Sequence, residues 1–327
     1  MKASQIFIQS LIVSAVLFSS TVNGQETKEK PAEGSQFTFA YPLGTNGKEA
    51  ISESNKFSFN LLYGVNGGLN GLEIGGLANY NHGEVRGVQL AGIANVNKGY
   101  TSGLMWAGGL NLTLDDARGV QFADINVAKG DFNGLQAGVI NYAGGLRGVQ
   151  FGVINIVGED KGAVPIGLIN VVKGGYYALE LTAGEVLYTN VNYKMGVERF
   201  YTIFKLGASR YEDEPIYSVG LGFGTMLTLA EKHKLSMDLS INHIVFDEEW
   251  NSEDDNILAK FDLTYRYSLG EHISLLAGPS FNWYASEMGM DDAYGRLNIP
   301  SHAHHFDCEG YQNWTWIGFN AGIAYRF

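Results

Sequence analysis

An asparagine recurs at an almost constant interval through the middle of the chain. Each one ends an apolar phrase such as Gly87-Val-Gln-Leu-Ala-Gly-Ile-Ala-Asn95, and a connector rich in glycine and charge follows. The steps between them are 16, 16, 15, 15, 14 and 15 residues, and the positions are Asn79, Asn95, Asn111, Asn126, Asn141, Asn155 and Asn170. A repeat of this regularity constrains the architecture more strongly than any single residue does.

After Tyr176 the pattern changes to a strict alternation of apolar and polar residues. On one strand, Lys260, Asp262 and Arg266 alternate with the apolar set Ile257, Ala259, Phe261, Leu263, Tyr265 and Tyr267. This is the pattern of a β-barrel with an apolar outer wall and a polar interior. Eight candidate strands of this kind fall between Tyr176 and Phe327. We expect the three charged residues to face the interior together with Lys205 and Asp238.

Two all-β arrangements accommodate the repeats. In the first, each repeat is one membrane-crossing strand, because about 9 to 11 tilted residues span the hydrocarbon layer, and the antiparallel barrel has about 16 strands. In the second, each repeat is one coil of a β-solenoid with its asparagines stacked as a ladder, and an eight-stranded barrel follows. Even spacing favours the solenoid. Apolar residues on both faces of each repeat favour the larger barrel, which is therefore our first expectation.

The last eight residues resemble the C-terminal signal of bacterial outer-membrane β-barrels. That signal combines a polar residue, a glycine, an aromatic residue and a terminal phenylalanine, which correspond here to Asn320, Gly322, Tyr325 and Phe327. The resemblance implies assembly by the barrel-insertion machinery into the outer membrane, with membrane lipid and lipopolysaccharide as neighbours. It also implies that Phe327 lies on the periplasmic side and that the longer loops lie on the cell surface.

The sequence predicts four successive segments, beginning with a signal peptide at the N-terminus. Lys2, an apolar run over residues 11–18 and small residues before Gln25 are typical of a secretory signal peptide at residues 1–24. We expect a disordered periplasmic segment at residues 25–36, N-terminal strands and repeats at 37–175, and barrel strands with long extracellular loops at 176–327. No other segment reaches the roughly 18 apolar residues of a transmembrane helix.

Composition excludes several classes of function. The chain has 22 basic and 34 acidic residues and a formal net charge of -12, which makes nucleic acid an improbable partner. The one cysteine, Cys308, excludes an intrachain disulfide and a zinc site built from cysteines. No nucleophile motif is present. We therefore expect a protein that is not an enzyme and needs no cofactor.

Several phrases together resemble the bacterial surface-repeat outer-membrane proteins. They are Phe39-Ala-Tyr-Pro-Leu-Gly-Thr-Asn-Gly47, the repeats of the form Gly-Val-Gln-x-Ala-Gly-x-x-Asn, and the stretch from Pro165 to Gly175 with Arg199-Phe-Tyr-Thr-Ile-Phe204. The likeness covers roughly residues 37–207. It implies a protein of the cell envelope and transfers no catalytic residue.

Two loop clusters contain potential metal ligands. His302, His304, His305 and Asp307 lie in the long loop before the last strand and form a candidate zinc or copper site, with a polar loop as the alternative. Acidic runs at residues 212–214 and 247–255 could bind Ca²⁺ or Mg²⁺, with a solvated charged loop as the alternative.

These observations favour a non-enzymatic outer-membrane barrel that forms a narrow pore for small polar solutes. The alternative is a surface scaffold or adhesin that presents the repeats and the acidic and histidine-rich loops. The second hypothesis rests on the distribution of charge in the repeats. Of fourteen charged residues between Gly71 and Val172, only Glu73 and Asp124 fall inside the apolar runs. Strands with so little charge would make a poor polar conduit.

Overall fold

The structure, a computed structural model, describes residues 34–211, 214–246, 255–287, 297–308 and 310–327. The expected signal peptide lies outside these residues, as do residues 25–33. Residues 34–36, which we expected to be disordered, belong to the first strand, where Gln36 is fully buried. In the described part of the chain, no helix is both long enough and apolar enough to cross a membrane.

Residues 34–172 form a β-solenoid. A single 3₁₀ helix, Gly47–Ile51, lies near its start. Its strands are β1 (Gly34–Ala40), β2 (Leu43–Gly44), β3 (Ser54–Asn60), β4 (Tyr63–Asn66), β5 (Gly68–Gly75), β6 (Ala78–Asn81), β7 (Val85–Ala91), β8 (Ala94–Asn97), β9 (Thr101–Ala107), β10 (Leu110–Thr113), β11 (Ala117–Phe122), β12 (Ile125–Ala137), β13 (Ile140–Phe151), β14 (Ile154–Val157), β15 (Asp160–Ile166) and β16 (Ile169–Val172).

Equivalent residues of successive repeats pair in parallel. Asn111 lies opposite Asn95 on one side and Asn126 on the other, and Gly119 lies between Gly103 and Gly134 in the same way. Each coil thus adds to two rows of parallel strands, which the long strands β12 and β13 join into one sheet. Glycine is needed at Gly119 because its φ is 119° and an added Cβ would lie 2.1 Å from the carbonyl oxygen of Gly103.

The expectation of about sixteen barrel strands was wrong, and the alternative arrangement is the one observed. Neighbouring strands of a barrel of this kind run antiparallel, whereas the repeats stack in parallel with a constant register. The apolar residues that favoured the larger barrel lie on the outside of the solenoid. The all-β class and the eight strands after Tyr176 are confirmed.

Residues 176–326 form the antiparallel barrel, and the change from parallel to antiparallel pairing falls between Val172 and Tyr176. The strands are β17 (Tyr176–Ala183), β18 (Thr189–Val197), β19 (Phe200–Tyr211), β20 (Glu214–Ala230), β21 (His233–Phe246), β22 (Asn256–Ser268), β23 (Ile273–Ser286), β24 (His304–Cys308) and β25 (Tyr311–Arg326). Eight of them make the wall, and β24 pairs only with β25.

The barrel closes where its first and last strands pair. Residues 178–183 of β17 lie antiparallel to residues 321–326 of β25, so the wall has no free edge at this seam. The seam needs a glycine, because a Cβ on Gly322 would lie 2.1 Å from the carbonyl oxygen of Leu181. The turns at 198–199, 231–232 and 269–272 are short and lie at the end of the barrel that also holds Phe327. We call this the short-turn end.

The barrel wall alternates as the sequence predicts. On β22, Leu258, Lys260 and Asp262 are buried, while Phe261 and Tyr265 are exposed on the outside. The outer wall is apolar over its whole height, from Leu275 and Ile323 near the short-turn end to Ile241 and Ile317 further up. A polar interior is thus enclosed by an apolar exterior.

Candidate functional site

A buried ionic network fills the barrel interior near the short-turn end. Lys194 Nζ lies 2.6 Å from Asp238 Oδ2 and 3.1 Å from Glu180 Oε1. The Arg266 guanidinium pairs with the same Glu180 carboxylate. The hydroxyl of Tyr201 donates to Asp238 Oδ1 over 2.6 Å. Two cations and two carboxylates therefore neutralise one another without solvent, an arrangement that requires such close pairing.

A second set of charges lies further up the interior. Lys205 Nζ is 3.4 Å from Asp262 Oδ2, and Lys260 is buried in the same interior. Glu185, in the loop between β17 and β18, accepts a hydrogen bond of 2.6 Å from Trp316 Nε1. With the first network, the interior holds four cations and four carboxylates. They are Lys194, Lys205, Lys260, Arg266, Glu180, Glu185, Asp238 and Asp262.

The other end of the interior, below the long loops, is apolar. Val186 and Leu187 of the β17–β18 loop belong to a buried cluster with Tyr284, Trp314 and Trp316 of the facing strands. The ring centroids of Tyr284 and Trp314 are 5.5 Å apart and the rings are stacked. Leu297, from the loop before β24, packs into the same cluster. Side chains therefore occupy the interior above a small cavity at the short-turn end, which Tyr176, Arg266 and Arg326 line.

Sequence reasoning found five of these eight interior charges. Lys205, Asp238, Lys260, Asp262 and Arg266 were expected to face the interior, and all five are buried there. Three charges were missed, namely Glu180, Lys194 and Glu185. The alternation of buried Tyr176, Ala178, Glu180 and Thr182 with exposed Leu179 and Leu181 is a signal that could have identified the first.

The four residues of the terminal signal lie at the barrel seam and beside it. Asn320 donates to Thr264 Oγ1 inside the barrel over 3.3 Å. Tyr325 points outward and stacks on His272 with ring centroids 5.7 Å apart. The backbone N–H of Phe327 donates to the carbonyl of Tyr177 over 3.0 Å, which extends the pairing of last and first strands.

The structure does not assemble the expected metal site. His304 and His305 are adjacent on β24, and successive strand residues point to opposite faces. His304 stacks on Phe306, while His305 Nε2 lies 3.3 Å from Asp307 Oδ1. His302 Nε2 instead lies 3.1 Å from the carbonyl oxygen of Ile317. Among the described residues, no three histidine, cysteine, aspartate or glutamate side chains converge as metal ligands.

Most residues of the two acidic runs lie outside the described part of the chain. Residues 212–213 and 247–254 lie outside the described residues, and only Glu214 and Asp255 of the two runs lie within them. Cation binding by these loops stays a prediction.

The seven repeat asparagines form one buried column inside the solenoid. Each Nδ2 group donates to the Oδ1 atom of the next asparagine over 2.9 to 3.0 Å, from Asn79 through to Asn170. Asn126 Nδ2, for example, also donates to the backbone carbonyl of Ala137 over 2.9 Å. A parallel column links Gln121, Gln136 and Gln150. These amides satisfy one another within the columns, except that Gln150 Oε1, at the end of the glutamine column, has no partner among the described residues.

A carboxylate lies at the N-terminal end of the solenoid interior. Glu73 is fully buried and accepts hydrogen bonds from four amide side chains. Asn81 Nδ2 and Gln89 Nε2 donate to its Oε2 over 2.7 and 2.9 Å, and Asn60 and Asn66 donate to its Oε1. Four donors hold the carboxylate in place of water, which gives it a structural role in the first coils.

The last coil of the solenoid packs on the outer wall of the barrel. Tyr201, Ile203 and Lys205 of β19 are turned inward, so Thr202 points outward, yet it is completely buried. Its hydroxyl accepts a hydrogen bond from Asn170 Nδ2 over 2.9 Å and donates to the carbonyl of Gly167 over 2.6 Å. The asparagine column therefore ends on the barrel.

An ion pair joins the two parts at the short-turn end. Arg199, in the turn between β18 and β19, contacts both carboxylate oxygens of Asp160 at 2.5 and 2.6 Å and donates to the carbonyl of Ala163 over 3.2 Å. Burial alone would raise the pKa of Asp160, but backbone N–H groups of Ala163 and Gly162 and the Arg199 charge lower that pKa below its usual value.

Comparison with known proteins shows a structural likeness and no family. No protein-family model and no curated protein matches the chain. Among solved structures, the chain is similar to the Yersinia pestis outer membrane protein Ail, determined in a phospholipid bilayer nanodisc. The two are 11% identical over 47% of this chain and 99% of Ail, with a TM-score of 0.27. The function proposed for this chain follows from its own geometry.

Proposed function

We propose that the protein is a non-enzymatic outer-membrane protein whose closed, filled barrel anchors the solenoid. The observation that carries this proposal is the outer wall of the barrel. Leu206, Leu239 and Ile241 are each about 60% exposed on a wall whose interior side carries the ionic networks (58%, 59% and 60%). A water-soluble protein would place these two sets of residues the other way round.

Most wall strands are long enough to cross the hydrocarbon layer of a membrane. The wall strands β19 to β23 and β25 have 12 to 17 residues, and about 9 to 11 tilted residues cross the hydrocarbon layer. Closure at the seam leaves no unpaired backbone edge in the wall, which a lipid environment requires. The neighbours we propose are outer-membrane lipid, including lipopolysaccharide, and the barrel-insertion machinery during assembly.

The filled interior favours an anchor over the narrow pore that the sequence suggested. An eight-stranded barrel is just wide enough for its own side chains. Here eight charged side chains and an apolar cluster around Trp314 and Trp316 take that space. Ion pairs join six of the eight charges, so no hydrated path for a solute is needed to explain those six.

The position of the solenoid bears on the scaffold hypothesis. Its last coil contacts Arg199 and Thr202, which belong to the short-turn end. If Phe327 is periplasmic, the repeats are on the periplasmic side, and only the loops between the wall strands at the other end reach the cell surface. We therefore propose a scaffold that presents its repeats inward and does not act as an adhesin through them.

Membrane insertion can be tested with the whole chain. Cells producing the protein are fractionated, and outer-membrane fractions are analysed on gels with and without boiling. The proposal predicts that the protein is recovered in the outer membrane and migrates faster when unboiled, because the closed barrel stays compact. A protein found in the soluble periplasmic fraction, with identical migration in both samples, would refute the proposal.

A further inference from the structure

One side of the solenoid exterior is apolar, and amide columns line part of its interior beside a buried apolar cluster that includes Phe132 and Leu146. Along one narrow side, where each coil turns from its first strand to its second, nine large apolar side chains of residues 68–172 are at least 40% exposed. They form what we call the apolar ridge, which consists of Leu77, Ile93, Trp106, Phe122, Val139, Phe151, Val153, Leu168 and Ile169. A contiguous exposed apolar surface of this length marks a contact with lipid or with another protein.

The opposite side of the solenoid is charged. The connectors between coils lie there, and they carry Lys98, Asp116, Lys129, Asp131 and Lys161 among others. We call this side the charged edge. Of the fourteen charged residues between Gly71 and Val172, Asp124 alone lies at the ridge. The solenoid thus separates apolar and charged groups to opposite sides, as an element lying at a membrane surface does.

The attachment to the barrel orients the ridge. On the barrel wall, Arg199 lies in a short turn and contacts Asp160 of the charged edge, whereas Thr202 lies three residues further up β19 and contacts Gly167 beside the ridge. At about 3.3 Å per residue this difference is about 10 Å. The ridge therefore reaches past the short-turn end and lies beside the apolar barrel wall, just below exposed Phe204 and Leu206.

We propose that the apolar ridge lies in the phospholipid leaflet at the short-turn end of the barrel. This inference assumes the membrane barrel of the proposed function and adds a second, non-spanning lipid contact. A depth of about 10 Å fits within one leaflet, because the hydrocarbon core is about 30 Å thick in total. Lipid is the occupant that the geometry favours, since the ridge continues the apolar surface of the barrel at the same height.

The solenoid meets the chemical requirements of this location. Its backbone groups are paired between coils, and the amide side chains of the asparagine and glutamine columns are buried in its interior, so none of these groups faces lipid. Asp124 is the charged residue at the ridge. The free-energy cost of placing the Asp124 charge in the leaflet is reduced because the ridge lies away from the bilayer midplane, where charges are most unfavourable.

The proposal can be tested by measuring depth with spin labels in refolded protein. In a Cys308→Ser background, labels are placed on the ridge (Val139→Cys and Val153→Cys) and on the charged edge (Lys129→Cys and Arg147→Cys). A fifth label at Leu239→Cys reports the barrel wall. Protein is reconstituted in phosphatidylcholine and phosphatidylglycerol vesicles, and collisions with oxygen and with a water-soluble nickel chelate are compared.

The expected result is a several-fold higher oxygen-to-nickel collision ratio at the ridge and at Leu239→Cys than at the charged edge. A high ratio at Leu239→Cys with water-like ratios at the ridge would overturn the inference and leave the barrel intact. Weak collisions with both reagents at the ridge would also overturn it, since they indicate coverage by protein. Water-like ratios at Leu239→Cys as well would refute the proposed function itself.

Discussion

Asn170 donates a hydrogen bond to Thr202 Oγ1 over 2.9 Å, and this contact joins the last rung of the asparagine column to the outer wall of the barrel. Thr202 has an outward-facing position on β19 that would be exposed without the solenoid. The hydroxyl is used twice, because it also donates to the carbonyl of Gly167. A polar side chain on the outside of the barrel is thus explained by the solenoid that covers it.

Replacing this hydroxyl should loosen the solenoid from the barrel. Thr202→Val keeps the shape of the side chain but leaves one Asn170 donor without its acceptor, at a cost of about 1 to 3 kcal/mol, while the Gly167 carbonyl keeps only its hydrogen bond from Asn170 Nδ2. Hydrogen exchange of the last coil, residues 160–172, should become faster. Thr189→Val, on an exposed position of β18, is the matched control and should change nothing. Unchanged exchange in Thr202→Val would show that the contact does not hold the coil.

Removing one asparagine of the column should destabilise the whole solenoid. Asn126→Ala deprives Asn111 Nδ2 of one acceptor and leaves Asn141 Oδ1 without its donor, while the Ala137 carbonyl keeps the backbone N–H of Ala123. We expect a loss of about 2 to 4 kcal/mol in solenoid stability, from groups that cost about 1 to 3 kcal/mol each. Limited proteolysis should cleave residues 34–172 while the barrel resists. Asn133→Ala, at an exposed position of β12, should be as resistant as the wild type.

Acidification should weaken the junction between solenoid and barrel. The pKa of Asp160 is lowered in the folded protein, so its contribution to stability is fully present above the unfolded value of about 3.9 and is lost as pH falls through the folded value. Distances between spin labels at Lys129→Cys and Lys232→Cys, in a Cys308→Ser background, should broaden between pH 7 and pH 3. In an Asp160→Asn protein the distribution should already be broad at pH 7, and the pH dependence should shrink. A pH response as large as that of the wild type would exclude Asp160 as its source.

The terminal residue should matter for assembly. Phe327 pairs with Tyr177 at the seam, and an unpaired seam in lipid costs several kcal/mol for each unsatisfied backbone group. We predict that Phe327→Ser is exported but poorly inserted, while Phe327→Trp is nearly silent. The fraction of heat-modifiable protein measures insertion. Normal abundance of folded Phe327→Ser would show that the terminal phenylalanine is not a signal.

The barrel was predictable from sequence because its pattern is local. Apolar and polar residues alternate with a period of two around Lys260, Asp262 and Arg266, and this pattern predicts a β-strand with one apolar and one polar face. In the structure the three charged residues are buried and the apolar residues face outward. Interior pairs such as Lys194 with Asp238 could not be predicted, since 44 residues separate them and only the closed wall brings them together.

The repeats were harder to interpret because both faces of each coil carry apolar residues. A soluble solenoid would expose only one apolar face at most, so Val149, Phe151 and Ile154 suggested membrane-crossing strands. The deciding feature is the pairing of Asn with Asn at equal positions, which no spacing alone reveals. The predicted metal site is not assembled for a simpler reason. Side chains of adjacent strand residues such as His304 and His305 point to opposite faces.

The central claim is that the barrel is a closed anchor with a filled interior, and single-channel recording tests it most directly. Refolded protein, shown by heat-modifiable migration to be inserted in lipid, is added to a planar bilayer and held at both polarities. The ionic network around Lys194 and the apolar cluster around Trp314 predict no unitary conductance steps. Reproducible steps from the inserted wild-type protein would show that the interior opens to water, and they would contradict the account.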